Sequence, residues 1–142
     1  IFFFFFNESV MVQQQRLLIV LSVIIVGIAV VVGINMFGAS AASANLEAVT
    51  NDLLNLSARA QQYYVKPVSM GGGGNDFSGL TNITQLTAKA SNDNGVYSIA
   101  SQSATDVTIQ GDGMQDGDGD GTPCSVQVKV FADSIATTVL NQ

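Results

Sequence analysis

Residues 17–34 read LLIVLSVIIVGIAVVVGI, an aliphatic run interrupted only by Ser22 and by small residues such as Gly27 and Gly33. No ionisable side chain occurs from Leu17 to Leu46. A surface helix of a soluble domain keeps one polar face, whereas this run is apolar all round and long enough to cross a hydrocarbon layer. At about 1.5 Å per residue, Leu17 to Phe37 extends about 30 Å. Arg16 stands at the entrance of the run, and Glu47 and Asp52 follow its exit. That bias favours an N-terminus inside and a C-terminus outside.

Upstream, IFFFFF at residues 1–6 is too short to span a bilayer, and NESVMVQQQ separates it from the main run. No basic residue precedes Arg16, so a secretory n-region is missing. Residues 1–12 are therefore expected to be a leader or, with translation starting at Met11, an upstream addition.

Downstream the pattern changes. Leu46, Val49, Leu53, Leu56, Ala60 and Tyr63 recur at spacings of 3, 4, 3, 4 and 3, which places them on one helical stripe. Asn51, Asn55, Arg59 and Gln62 occupy the opposite face. One continuous helix is expected from Gln13, hydrophobic through residue 38 and amphipathic over 39–66, with Leu46 to Tyr63 as its helix–sheet packing surface. Pro67 disfavours helix at Lys66, and GGGGN from Gly71 to Asn75 prevents its resumption. Gly71 to Gly74 lack both the GK[ST] and the preceding strand of a phosphate loop, and are expected to form a flexible connection within an irregular region over 67–94.

Short β-like runs follow over 95–142. Val126, Val128 and Val130 alternate with Gln127 and Lys129, and Ser134 to Leu140 supplies a hairpin partner. Val96 to Ala100 and Thr105 to Ile109 are two weaker runs flanking the turn Ser101-Gln102-Ser103. One face of such a sheet must be covered, and the Leu46 to Tyr63 stripe is the only long apolar surface available to do so. The expected fold class is α+β: a long N-terminal helix packed on a small C-terminal antiparallel sheet of three or four strands.

Composition bounds the function. Of 142 residues only 11% are charged, against roughly 25% in an ordinary soluble domain. Without the N-terminal part about a hundred residues remain, enough for one small domain. With no histidine, neither Ser/His or Cys/His nucleophile pairs nor histidine metal sites can form. A net charge of −6 leaves no basic patch for phosphates, so nucleic acid is not an expected partner. No constellation marks a small-molecule substrate, and no enzymatic activity is expected. Cys124 stands alone and reads as a small apolar packing group. Tyr63 and Tyr64 read as core and boundary packing. Asn55-Leu56-Ser57 and Asn82-Ile83-Thr84 match glycosylation sequons, a pattern common by chance.

One segment suggests a cofactor. GDGMQDGDGDGTPCS, residues 111–125, carries Asp112, Asp116, Asp118 and Asp120. Asp116-x-Asp118-x-Asp120-Gly121 matches the start of an EF-hand-type loop, in which alternate carboxylates turn inward and glycine permits the sharp bend. Thr122 would add its backbone carbonyl. The bidentate glutamate expected at position twelve is Gln127 instead, and Asp112 is a candidate for the missing carboxylate. Ca²⁺ is the expected ion, and a solvated Gly-rich acidic hairpin loop is the competing expectation.

The order of a uniformly apolar half-helix, an amphipathic half-helix, a Gly-rich loop and a small antiparallel sheet resembles type IV pilins and the pseudopilins of secretion systems. The text QQQRLLIVLSVIIVGIAVVVGINMF, then NLEAVTNDLLNLSARAQQYY, then SMGGGGNDFSGLT, is also similar to pilin-like bacterial proteins. The resemblance implies a structural subunit held in the inner membrane and then assembled into a filament on a bacterial surface. Leu17, Leu21, Ile24, Ile28, Val31 and Val32 would pack in the filament core against identical copies. Gly27, Ala29, Gly33, Gly38, Ala39 and Ala41 would let helices approach closely. A heterologous contact that does not close generates such a helical homopolymer. The family's leader ends in glycine and its mature chain carries glutamate at the fifth position. Here Val12 precedes Gln13, and the fifth residue is Leu17. The family's helix-breaking proline is also missing from the span, and Gly27 and Gly33 are the positions where local unwinding is easiest. The alternative from a different class is a monomeric, single-span anchor carrying an extracytoplasmic module that binds calcium or a partner.

Two arginines in the middle of the span, Val26→Arg with Val30→Arg, each add about 2.5–3.5 kcal/mol to insertion. The double variant is expected to leave the carbonate-resistant membrane fraction and appear in the soluble or aggregated fraction, as scored by blotting after alkaline extraction.

Overall fold

In the computed structural model the described residues are 7–142, and the apolar stretch at residues 1–6, expected to belong to a leader, lies outside them. A single helix, α1, is assigned as Phe2–Val65, and the chain divides into two compact units after Gly38.

The first unit is helix alone. Every described side chain from Asn7 to Gly38 is exposed, the aliphatic run included. By length and composition this helix is apolar enough to cross a membrane, and none of its most apolar window is buried within the chain.

The second unit begins at Ala39 and is an α+β domain. After α1 come two short 3₁₀ turns, Val68–Met70 and Ile83–Gln85, and then four strands: β1 Gly95–Gln102, β2 Asp106–Gly113, β3 Ser125–Phe131 and β4 Ile135–Asn141. They form one antiparallel meander in the order β1-β2-β3-β4. Period-two alternation decides which face is buried. Val107 and Ile109 of β2 pair with Val130 and Val128 of β3, and all four are fully buried together with Val126. Against them lies the helical stripe: Val49, Leu53 and Ala60 are fully buried, Leu56 is nearly so, and Leu46 and Tyr63 pack at the margins.

The irregular region between helix and sheet is a structural part of the core. Phe77 and Leu80 are fully buried, and Ile83 and Leu86 are nearly so. The Tyr64 and Phe77 rings pack at 4.6 Å between centroids. Gly71 to Gly74, expected to be a flexible connection, are instead hydrogen-bonded throughout: Gly71 N–H to Val68 O and Gly72 N–H to Pro67 O in the first 3₁₀ turn, and Gly73 and Gly74 back to the end of α1 and the residue after it. The last carbonyls of a helix need donors. Gly73 N–H donates to Tyr63 O at 2.8 Å, Asn75 N–H to Tyr64 O at 2.7 Å and Gly74 N–H to Lys66 O at 2.9 Å. Only a chain without side chains can come this close. A Cβ on Gly72 would collide with the Lys66 carbonyl, and one on Gly73 with the Asp76 carbonyl and the Tyr63 ring.

Truncating the fully buried Leu53 to alanine is expected to cost about 2–5 kcal/mol. The neighbouring Leu54→Ala, at a position 42% exposed, should change stability by less than about 0.5 kcal/mol. Urea unfolding of the detergent-solubilised chain compares the two.

Candidate functional site

Two sequence-expected surfaces and two unanticipated polar clamps make up the functional landscape. On α1, Leu17, Leu21, Ile24, Ile28, Val31 and Val32 are between 50% and 69% exposed. Space around the small residues of this segment is open, since a Cβ built on Gly27, Gly33 or Gly38 meets nothing within 4 Å.

The acidic loop joins β2 to β3. Oxygens of Asp116, Asp118 and Asp120 converge within 4.8 Å of one another. The loop's own backbone holds them: Asp116 accepts N–H bonds from Gly119 and Gly121, both at 2.7 Å. Asp118 accepts from Asp120 N–H at 3.1 Å, and Asp120 from Thr122 N–H at 2.7 Å. The Gly119 and Gly121 amides pull the Asp116 carboxyl below its ordinary value, and Thr122 does the same for Asp120.

The structure does not bring Asp112 into this group. It lies on β2, on the sheet face away from α1, where its Oδ1 accepts from Gln110 Nε2 at 2.9 Å. Gln127 belongs to the same polar ladder, donating to Gln110 Oε1 at 2.8 Å across β2 and β3. Strand pairing therefore withdraws both residues from the loop. The Thr122 carbonyl accepts from Asn141 Nδ2 at 3.3 Å. Calcium takes 6–8 oxygens. Hard carboxylate oxygens suit that ion, and Asp116, Asp118 and Asp120 supply three of them.

The first clamp is Asn45. Its Oδ1 accepts Met114 N–H at 2.8 Å and Gln115 N–H at 3.2 Å, with Cys124 Sγ at 3.3 Å, while its Nδ2 donates to Asn94 O at 2.8 Å. One helical side chain thus ties α1 to the root of the acidic loop and to the approach to β1. The legible signal was its position, three residues after buried Ala42 and four before Val49 on the core side of the helix.

The second clamp is Asp52. Its Oδ2 accepts Tyr97 Oη–H at 2.6 Å and the side-chain amides of Asn92 and Asn94, both at 2.8 Å. Burial alone would raise this carboxyl, but bonds from Asn94, Tyr97 and Asn92 outweigh it and hold it below the ordinary value. Burial and the Asp52 carboxylate push the Tyr97 phenol upward. Asp52, Arg59, Lys89 and Tyr97 line a groove of about 320 Å³. Arg59, expected on the wet face, is exposed and still donates to Leu86 O at 2.9 Å. Among the described residues every buried side-chain nitrogen or oxygen has a partner. The clamps are satisfied networks that position α1 on the sheet.

Comparison with family models, with curated proteins and with solved structures finds no match to this chain.

Because the folded Asp52 carboxyl lies below its unfolded value of 3.8, its contribution is present above that pH and is lost as pH falls through the folded value. Asp52→Asn is expected to cost about 1.5–3 kcal/mol at pH 7, the range for a hydrogen bond to a charged group. It should also flatten the stability loss below pH ~4 relative to the parent chain. Unfolding curves at pH 7 and pH 3 measure both effects.

Proposed function

We propose that this chain is the structural subunit of a type IV pilus-like surface filament, held in the inner membrane by its apolar half-helix and assembled by packing that half-helix against identical copies. The observation that carries the proposal is a division within one helix. Residues 39–65 of α1 supply the core of a folded domain, whereas Leu17 to Phe37 have no cover within their own chain. Each exposed Val, Leu or Ile forgoes roughly 1.5–3 kcal/mol relative to burial. The segment is therefore stable only in lipid or against other apolar chains.

Lipid would cover any smooth aliphatic helix. The open space at Gly27 and Gly33 adds something lipid solvation does not need, a place where a second helix can approach closely. All but two of the 16 charged residues, Glu8 and Arg16, lie beyond Leu46, so packing of this segment strands no charge. The acidic domains would repel one another, an effect reduced by screening at physiological salt. A calcium ion held by Asp116, Asp118 and Asp120 would reduce it further.

Electron microscopy of sheared cell-surface material tests the proposal. Filaments labelled by antibody against this chain are expected. A chain found only as a detergent-extracted monomer in the membrane fraction would favour the single-span anchor and overturn the filament. Gly33→Leu is expected to leave the membrane content of the chain unchanged while removing the filaments.

A further inference from the structure

The sheet is wider than the helix that covers it. Strand pairing aligns Ile135, Thr137 and Val139 of β4 with Val130, Val128 and Val126 of β3, on the face that α1 covers. The β3 residues are fully buried, but all three β4 residues are exposed, Ile135 at 37% and Val139 at 42%. α1 runs over β2, where a Cβ on Gly111 would come within 2.8 Å of Val49 Cγ1. A helix is about 10 Å across, and strands lie about 4.8 Å apart, so β4 is displaced about 10 Å from β2. Packed helices lie 8–10 Å apart. The uncovered strip therefore has the width and position of one further helix, lying beside α1 and continuing the existing helix–sheet interface.

The other edge of the sheet is protected differently. There the chain's own segment pairs with β1 through Tyr97 N–H to Ala90 O at 2.8 Å and the Ser91–Val96 bridge. No comparable segment pairs along β4 among the described residues.

We propose that the helix-side face of β4 is the docking surface for the apolar α1 segment, Leu17 to Phe37, of a second copy of this chain. This rests on the filament proposed for the chain and names the contact between its subunits. The occupant follows from chemistry and size. Ser134 to Gln142 contain no ionisable side chain, and neither does Leu17 to Phe37, so mutual burial leaves no charge unpaired. The segment is an uncovered apolar helix about 30 Å long, enough to cover the roughly 23 Å of a seven-residue strand. The contact is heterologous, so it propagates from copy to copy without closing.

Cysteine cross-linking in sheared filaments tests the contact. In a Cys124→Ala background, Val139→Cys is combined in turn with single cysteines from Leu21 to Ile34. Oxidation is expected to give ladders of linked subunits at positions repeating every three to four residues. Filaments visible by microscopy but giving no linkage at any position would overturn the docking contact and leave the filament standing. Absence of filaments from all variants and from the parent chain would overturn both. A Thr138→Cys chain that links to itself as a dimer would show strand pairing at the β4 edge, and would also overturn helix docking. Independently, Thr137→Lys with Val139→Lys should leave the melting temperature unchanged, because both sites are exposed, and should abolish filaments. Normal filaments from that variant would overturn the contact.

Discussion

Burial of one helical stripe on one sheet face is the constraint from which the rest of the domain follows. Val49, Leu53, Leu56 and Ala60 meet Val107, Ile109, Val126, Val128 and Val130, and this two-layer contact is the main means by which either element removes its apolar side from water. Because a four-stranded meander is wider than one helix, the contact is complete over β2 and β3 and absent over β4. The same asymmetry requires the loop residues Phe77, Leu80, Ile83 and Leu86 to complete the core.

Apolar burial is non-directional, so it cannot by itself fix how far α1 slides along the sheet. That task falls to hydrogen bonds along its flanks. Asn45 engages the root of the acidic loop, Asp52 gathers Asn92, Asn94 and Tyr97, Arg59 holds Leu86 O, and Gln61 Nε2 reaches Phe131 O at 3.1 Å. These residues span most of the helix within the domain. Moving α1 by one turn would leave several buried or half-buried polar groups without partners, which costs more than the bonds themselves contribute. The glycine segment after Pro67 completes the restraint by supplying donors to the terminal carbonyls.

Within the apolar half-helix the logic is reversed. Among the described residues no clamp like Asn45 or Asp52 flanks Leu17 to Phe37, whose polar side chains are Ser22, bonded to its own helix at Leu18 O, and Asn35. A surface of this kind suits exchange between lipid and neighbouring chains better than a single fixed internal contact, because neither environment demands a particular hydrogen bond. In the proposed filament, storage in the membrane and assembly would therefore use the same side chains.

Periodicity alone determined much about this protein. The uncharged run from Leu17, the spacing of Leu46 to Tyr63 and the alternation of Val126, Val128 and Val130 are local patterns, and they specified a long helix, its amphipathic half and strands of an antiparallel sheet. Contacts between residues far apart in the chain were not legible in that way. Nothing local to Asn45 or Asp52 reveals that their partners lie 40 to 79 positions later. Four consecutive glycines suggest freedom, and only the return of the chain onto the helix end turns them into a close-fitting cap. The aspartate spacing suggested a calcium loop, but strand pairing drew Asp112 and Gln127 into the sheet. Local spacing sets side-chain direction along one element. Tertiary packing decides which groups meet, because hydrogen bonds and burial depend on distance in space, and the sequence fixes that only once the whole chain has folded.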